Sequence, residues 1–153
     1  MAKALANGLP MGAMLTTEPI AASLTVGSHA STFGGNPVAA AAAVEVLRIM
    51  LAEGFLAGVR ERSRYFLGRL EELAGRHAAL AAGARGRGLL LGLVLTERGV
   101  ELGATMVQRM FEEGALINFA GNEVLRFVPP LIVTEAEIDL LVDRLDRVLA
   151  ALA

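Results

Sequence analysis

Apolar and polar positions change rhythm twice along this chain, and each change predicts a different kind of structure. The first 35 residues show no period and are rich in Gly, Pro, Ser and Thr. Within them Pro10–Thr16, PMGAMLT, reads as a short strand, and Ser23–Gly35 as an irregular loop whose glycines permit unusual backbone angles. Helical spacing then begins at a well-marked start. Asn36 is a good N-cap, and Pro37 occupies the first helical position, where a missing N–H costs nothing. The alanines that follow have the highest helix propensity, and the helix is predicted to run to about Glu53 and stop at Gly54. A second helix, Phe55 to His77, places Leu56, Val59, Phe66, Leu70 and Leu73 on one face and Arg60, Glu61, Arg64 and Glu71 on the other.

Beyond Gly83 the pattern shortens. Arg87–Leu95, RGLLLGLVL, reads as a buried strand whose glycines allow another backbone to approach closely. Gly99–Glu113 returns to helical spacing with Met106, Val107, Met110 and Phe111 inward. Ala115–Phe119 and Val124–Val128 read as two strands around the turn Ala120–Gly121–Asn122–Glu123, and Pro129–Pro130 ends the second. Thr134 and Glu137 have the spacing of a capping box ahead of Ile138, Leu141, Val142, Leu145, Val148 and Leu152. The expected class is α/β, with residues 54–153 a small α+β domain and residues 1–53 the edge of a larger one.

Composition narrows the chemistry. Hydrophobic residues make up 54% of the chain and charged residues 20%, which allows a core and argues against disorder. The net charge of −2, with arginines dispersed among acids, argues against nucleic acid or an acidic membrane as the main partner. No cysteine is present, so disulfides and thiol catalysis are excluded, and the two histidines, His29 and His77, lack ligand spacing. No segment reads as a signal or a membrane span, so a cytoplasmic location is expected.

One residue is conspicuous. Among 14 basic side chains Lys3 is the only lysine. An amine can be deprotonated and attack a carbonyl, whereas a guanidinium does neither. Three segments carry the remaining candidate chemistry. Ala2–Met14, AKALANGLPMGAM, leads Lys3 into a glycine-bearing turn. Gly27–Pro37, GSHASTFGGNP, combines hydroxyls, glycines and a helix N-terminus, which suits an anion as well as it suits ordinary capping. Val124–Pro130, VLRFVPP, holds Arg126 inside an apolar strand, where its fork suits a carboxylate, unless it emerges at a strand edge into solvent. His77, at a helix end, is expected to complement the helix dipole.

The order of these segments, with RGRGLLLG between the second and third, resembles the C-terminal half of class III pyridoxal-phosphate-dependent aminotransferases. The resemblance spans Ala2–Leu152, and AKALANGLPMGAML, GSHASTFGGNPVAAAAAVEVL and ALINFAGNEVLRFVPPLIVT look most like the acetylornithine branch of that family. It implies a fragment of a fold-type I transferase: residues 1–53 the end of the cofactor-binding large domain with a linking helix, and residues 54–153 the small C-terminal domain. The cofactor implied is pyridoxal 5'-phosphate. Lys3 matches the lysine that forms a Schiff base with it and then shuttles a proton. Thr32, with Ser31 beside it, matches the donor to the cofactor phosphate of a partner subunit in a homodimer with a shared active site. Arg126 matches the reader of a substrate carboxylate.

The reaction implied moves the terminal amino group of N-acetylornithine, or a related ω-amino acid, to 2-oxoglutarate in arginine biosynthesis. The family's chains are more than twice this length. The upstream half, which supplies the partner of the pyridine nitrogen and the residue stacked on the ring, has no counterpart here. An inactive truncated piece that folds only as a small domain, and a generic phosphate-binding module, are the competing readings.

Overall fold

Capping residues set the helix boundaries. In the computed structural model, which describes all 153 residues, Asn36 Oδ1 accepts hydrogen bonds from the backbone N–H of Val38 at 2.9 Å and of Ala39 at 3.2 Å. These bonds open helix α2, Pro37–Met50, which stops three residues short of Glu53. A single turn, α1, Glu18–Ala21, precedes it. The strand expected at Pro10–Thr16 does not form, because a strand exists only where its backbone is paired and this segment lacks a ladder partner. The first residues instead make turns with one isolated bridge, Ala6 to Leu9. Ser23–Gly35 is irregular, as its composition predicts.

The chain divides into two units, Met1–Leu56 and Ala57–Ala153. The second is a four-stranded antiparallel sheet backed on one face by helices. Its elements are α3, Phe55–Arg76; β1, Ala81–Arg87; β2, Leu90–Leu95; α4, Glu97–Glu112; β3, Asn118–Ala120; β4, Val124–Phe127; and α5, Glu135–Ala150. The strand order is β1-β2-β4-β3. The expected single strand Arg87–Leu95 is therefore corrected to a hairpin: Arg87 ends β1, a turn follows, and β2 begins at Leu90. Strand β1, AAGARGR, carries almost no apolar signal and was invisible to periodicity.

Alternation places Leu91, Leu93, Leu95, Leu125 and Phe127 on the inner face of the sheet, where all are buried. Phe66 of α3 meets Phe127 edge to face, with ring centroids 5.5 Å apart. Helix α4 presses so closely on β3 that a Cβ at Gly103 would lie 2.6 Å from the Phe119 ring. Met106 and Met110 of α4 are buried as predicted, but Phe111 points outward, 62% exposed, one position off the line Gly103–Met106–Met110. In α5 the capping box forms: Glu137 N–H donates to Thr134 Oγ1, and Thr134 N–H donates to Glu137 Oε2. Its buried stripe is Ile138, Val142, Leu145, Val148 and Leu149, with Leu149 in place of Leu152.

Polar ties hold α3 to its neighbours. Tyr65 Oη and Arg69 Nη1 both donate to Asp139 Oδ1 of α5 at 2.7 Å. His77 does not simply cap a dipole: its Nε2 donates to Asp146 Oδ1 at 2.6 Å, with the ring side chain only 10% exposed. Two adjacent residues of α3 fasten two separate loops. Arg62 Nη2 donates to the carbonyl of Leu131 at 3.0 Å, and Ser63 Oγ donates to the carbonyl of Gly88 at 2.6 Å.

Candidate functional site

In the first unit Lys3 sits in a closed turn. Met1 and Ala13 exchange backbone hydrogen bonds, Ala13 N–H donating to Met1 O at 2.9 Å and Met1 N donating to Ala13 O at 2.6 Å. Inside this closure Lys3 adopts φ +62°, a left-handed conformation that a side chain with a Cβ rarely takes. Such local strain is tolerated only when neighbouring structure imposes it, and it concentrates at functional positions. The Lys3 side chain is exposed and makes no hydrogen bond or ion pair within the chain.

The loop Gly27–Pro37 lies in the same unit. Ser28 Oγ is engaged locally, donating to Thr25 O at 2.7 Å. The hydroxyls of Ser31 and Thr32 have no partner in the chain and are exposed. A cleft of about 450 Å³ brings Ser31 and His29 against Met11 and Gly12 of the turn that carries Lys3. Lys3 and Thr32 are not among its walls. Gly34 packs tightly against Ser31: a Cβ there would come within 3.1 Å of Ser31 Oγ. Gly35, at φ +74°, turns the chain into α2.

These contacts decide how an anion would be held. The N-terminal donors of α2 are already engaged, because Val38 and Ala39 both bond the Asn36 side chain and Pro37 has no N–H. The helix end therefore contributes its dipole and no free donor there, and the available hydroxyl donors are Ser31 and Thr32. A phosphate on this loop fits those two hydroxyls, and an aldehyde fits the unpaired amine of Lys3.

Arg126 belongs to the second unit. It lies on β4, a central strand, and its neighbours in register are Gly92 on β2 and Asn118 on β3. The expectation of a strand edge fails, yet the side chain is exposed, because its register places it on the sheet face that no helix covers. The glycine beside it leaves room for Val124: a Cβ at Gly92 would lie 2.3 Å from Val124 Cγ1 and displace that side chain. Arg126 makes no ion pair or hydrogen bond within the chain. It lines a cleft of about 580 Å³ on this open face, with Arg85, Arg87 and Glu123 among the other walls. Arg85 Nη2 is paired with Glu123 Oε2 at 3.2 Å. Periodicity missed this cleft because β1, which supplies two of its arginines, was not legible as a strand.

No helix is long and apolar enough to cross a membrane, and no group of three or more His, Asp or Glu residues is placed to hold a metal ion.

Comparison with known proteins gives a coherent result. The family profile described as aminotransferase class-III matches residues 1–149. An acetylornithine aminotransferase of Myxococcus xanthus is 51% identical over 91% of this chain and 34% of its own length. A succinylornithine transaminase of Yersinia pestis is 45% identical over 90% of the chain and 33% of its own length. Among solved structures, an N-acetylornithine aminotransferase from Stenotrophomonas maltophilia superimposes with TM-score 0.82 at 32% identity, over 97% of this chain and 38% of that one. The chain thus spans about a third of the length of the curated relatives it matches.

Proposed function

The chain belongs to the class-III aminotransferases, whose fold-type I architecture it shares, and on that premise we propose that it carries the C-terminal part of a pyridoxal-phosphate-dependent ornithine-type aminotransferase. The reaction proposed is transfer of the terminal amino group of N-acetylornithine, or a related ω-amino acid, to 2-oxoglutarate, in the cytoplasm and in the service of arginine biosynthesis. The observation that carries this reading is the only lysine of the chain, held at φ +62° in a closed turn, in the same unit as two hydroxyls without partners.

When bound, pyridoxal phosphate supplies an aldehyde that accepts amines and a ring that takes up the electron pair released at the neighbouring carbon. Lys3 Nζ would hold the cofactor at that aldehyde, and its amine is suited to hold and return the proton of the substrate's reacting carbon. Thr32 Oγ1, assisted by Ser31 Oγ, donates to a phosphate belonging to the cofactor of a second subunit, so the working unit is a homodimer. Arg126 orients the amino-acid or 2-oxo-acid substrate through a carboxylate, which its planar fork engages by two parallel hydrogen bonds.

A second reading is a folded small domain without catalysis of its own. One experiment separates the two. The purified chain is mixed with pyridoxal phosphate, reduced with borohydride, digested and mapped by mass spectrometry. Stoichiometric modification at Lys3, in excess of the N-terminal amine, is expected. Modification no greater than in the urea-unfolded chain leaves only the second reading.

A further inference from the structure

The chain contains four asparagines, Asn7, Asn36, Asn118 and Asn122, and only Asn7 is followed by glycine. The other three are protected from attack by the next backbone nitrogen. Asn36 precedes Pro37, which has no N–H, and its side chain already accepts from Val38 and Ala39. Asn118 is held in β3 opposite Arg126, and the next residue is the bulky Phe119. Asn122 precedes Glu123, whose N–H is engaged by Ala120 O at 3.2 Å.

Asn7 and Gly8 form the tip of an exposed turn, both with left-handed backbone at φ +46° and +114°. The turn is closed by one hydrogen bond, from Leu9 N–H to Ala6 O at 3.3 Å, longer than the usual range. Asn7 N–H also bonds Ala4 O at 3.0 Å, but that contact lies before the Asn7 Cα–C bond and does not restrain it. Gly8 N–H donates to nothing, and the Asn7 side chain makes no hydrogen bond. Nothing stands within 4 Å of the position a Cβ would take on Gly8. Rotation about the Asn7 Cα–C bond therefore brings the Gly8 nitrogen to Asn7 Cγ at the loss of the Ala6–Leu9 contact alone. A side chain on the following residue would crowd that approach, and glycine has none.

We propose that Asn7–Gly8 is a self-modification site, at which the chain converts asparagine to isoaspartate and aspartate without an enzyme. The Gly8 nitrogen gives its proton to solvent base and bonds Asn7 Cγ, and the side-chain nitrogen leaves as ammonia. Water then adds to one carbonyl of the resulting imide ring and breaks its bond to the Gly8 nitrogen. Opening at the backbone carbonyl gives isoaspartate, with the main chain routed through the former side chain; opening at Cγ gives aspartate. Either product adds a carboxylate, and isoaspartate also adds one carbon to the backbone. Both changes fall within the closure between Met1 and Ala13 that holds Lys3.

The test incubates the full chain in neutral and mildly alkaline buffer and maps its peptides by mass spectrometry, with fragmentation that distinguishes isoaspartate from aspartate. Asn7 should exchange ammonia for water at a rate within about tenfold of that in the free peptide Leu5–Pro10, because one net hydrogen bond resists the rotation. Isoaspartate should appear, since the ring produces it and direct hydrolysis of the side chain does not. The rate should rise with pH, as the Gly8 amide gives up its proton more readily. Gly8→Ala should slow the conversion by at least about tenfold by crowding the attack. A loosened turn would speed the reaction, so slowing in this variant is not a sign of misfolding. Stronger protection of Asn7 than this, a product without isoaspartate, equal conversion at Asn122, or an unchanged rate in Gly8→Ala overturns the proposal.

Discussion

Substituting alanine at two helical glycines should move stability in opposite directions, although propensity alone predicts the same sign for both. Gly68 lies in the interior of α3, and a Cβ built there meets nothing within 4 Å. Gly68→Ala should therefore gain up to about 1 kcal/mol, the difference between glycine and alanine in a helix interior. Gly99, near the start of α4, is buried, and a Cβ there would fall 2.0 Å from the carbonyl oxygen of Leu80 and 3.1 Å from Leu95 Cβ. The obstacle is backbone, so no rotamer change removes it. Neither can the helix lift freely. Thr96 N–H bonds Leu80 O at 3.1 Å, Thr96 Oγ1 donates to Ala79 O at 2.7 Å, and Gly99 N–H donates to that same Oγ1 at 3.1 Å.

Making room thus means overpacking, about 1–3 kcal/mol, together with loss of a cap, about 1 kcal/mol. Set against the propensity gain, Gly99→Ala should destabilise by about 1–3 kcal/mol. Urea unfolding followed by far-UV circular dichroism reads the sign directly. With slopes of about 1–3 kcal/mol per molar for small proteins, a loss of 2 kcal/mol lowers the midpoint by about 1 M. If both variants raise the midpoint, or Gly99→Ala leaves it unchanged, the close approach of α4 to Leu80 is wrong.

Asn36→Ala should cost about 1 kcal/mol by removing the acceptor of two N–H groups, while Asn36→Asp should be nearly neutral; thermal unfolding distinguishes them. The Asp146 carboxyl is held below the usual carboxylate range, chiefly by the hydrogen bond from His77, with Arg76 adding to the effect and burial opposing it. Its folded pKa is depressed, so its contribution is complete above the ordinary aspartate pKa of about 4 and is lost as pH falls through the folded value. Asp146→Asn should flatten this acid limb of a stability–pH profile measured by urea unfolding between neutral and acid pH; an unaltered limb would contradict the assignment.

What the sequence made legible was whatever local chemistry decides. The start of α2 at Asn36–Pro37 and the start of α5 at Thr134 with Glu137 were readable because a cap is a short-range hydrogen bond between residues a few positions apart. Strand β1 was not, because AAGARGR is held in the sheet by pairing with β2 and its own side chains give no alternation. PMGAMLT failed in the opposite sense: its composition suits a strand, but nothing pairs with it. His77 found its partner 69 residues away in Asp146, a separation no spacing rule reaches. Lys3 was singled out by residue type and Arg126 by its place in an apolar strand, while Ser31 and Thr32 came from the resemblance to class III aminotransferases. The cleft shared by Arg87 and Arg126 needed the sheet register to become visible.

The two ties made by Arg62 and Ser63 have a mechanical consequence. One fixes the turn that follows Arg87, at Gly88, and the other fixes the segment that follows Arg126 and the two prolines, at Leu131. Both arginine-bearing strands are therefore referenced to the same turn of one helix. Movements of that helix carry the two backbone segments together, much as two jaws mounted on a common bar keep their gap when the bar moves. The ladders through β2 set the spacing of the two strands, and the helical turn adds a second reference at the loops that follow them.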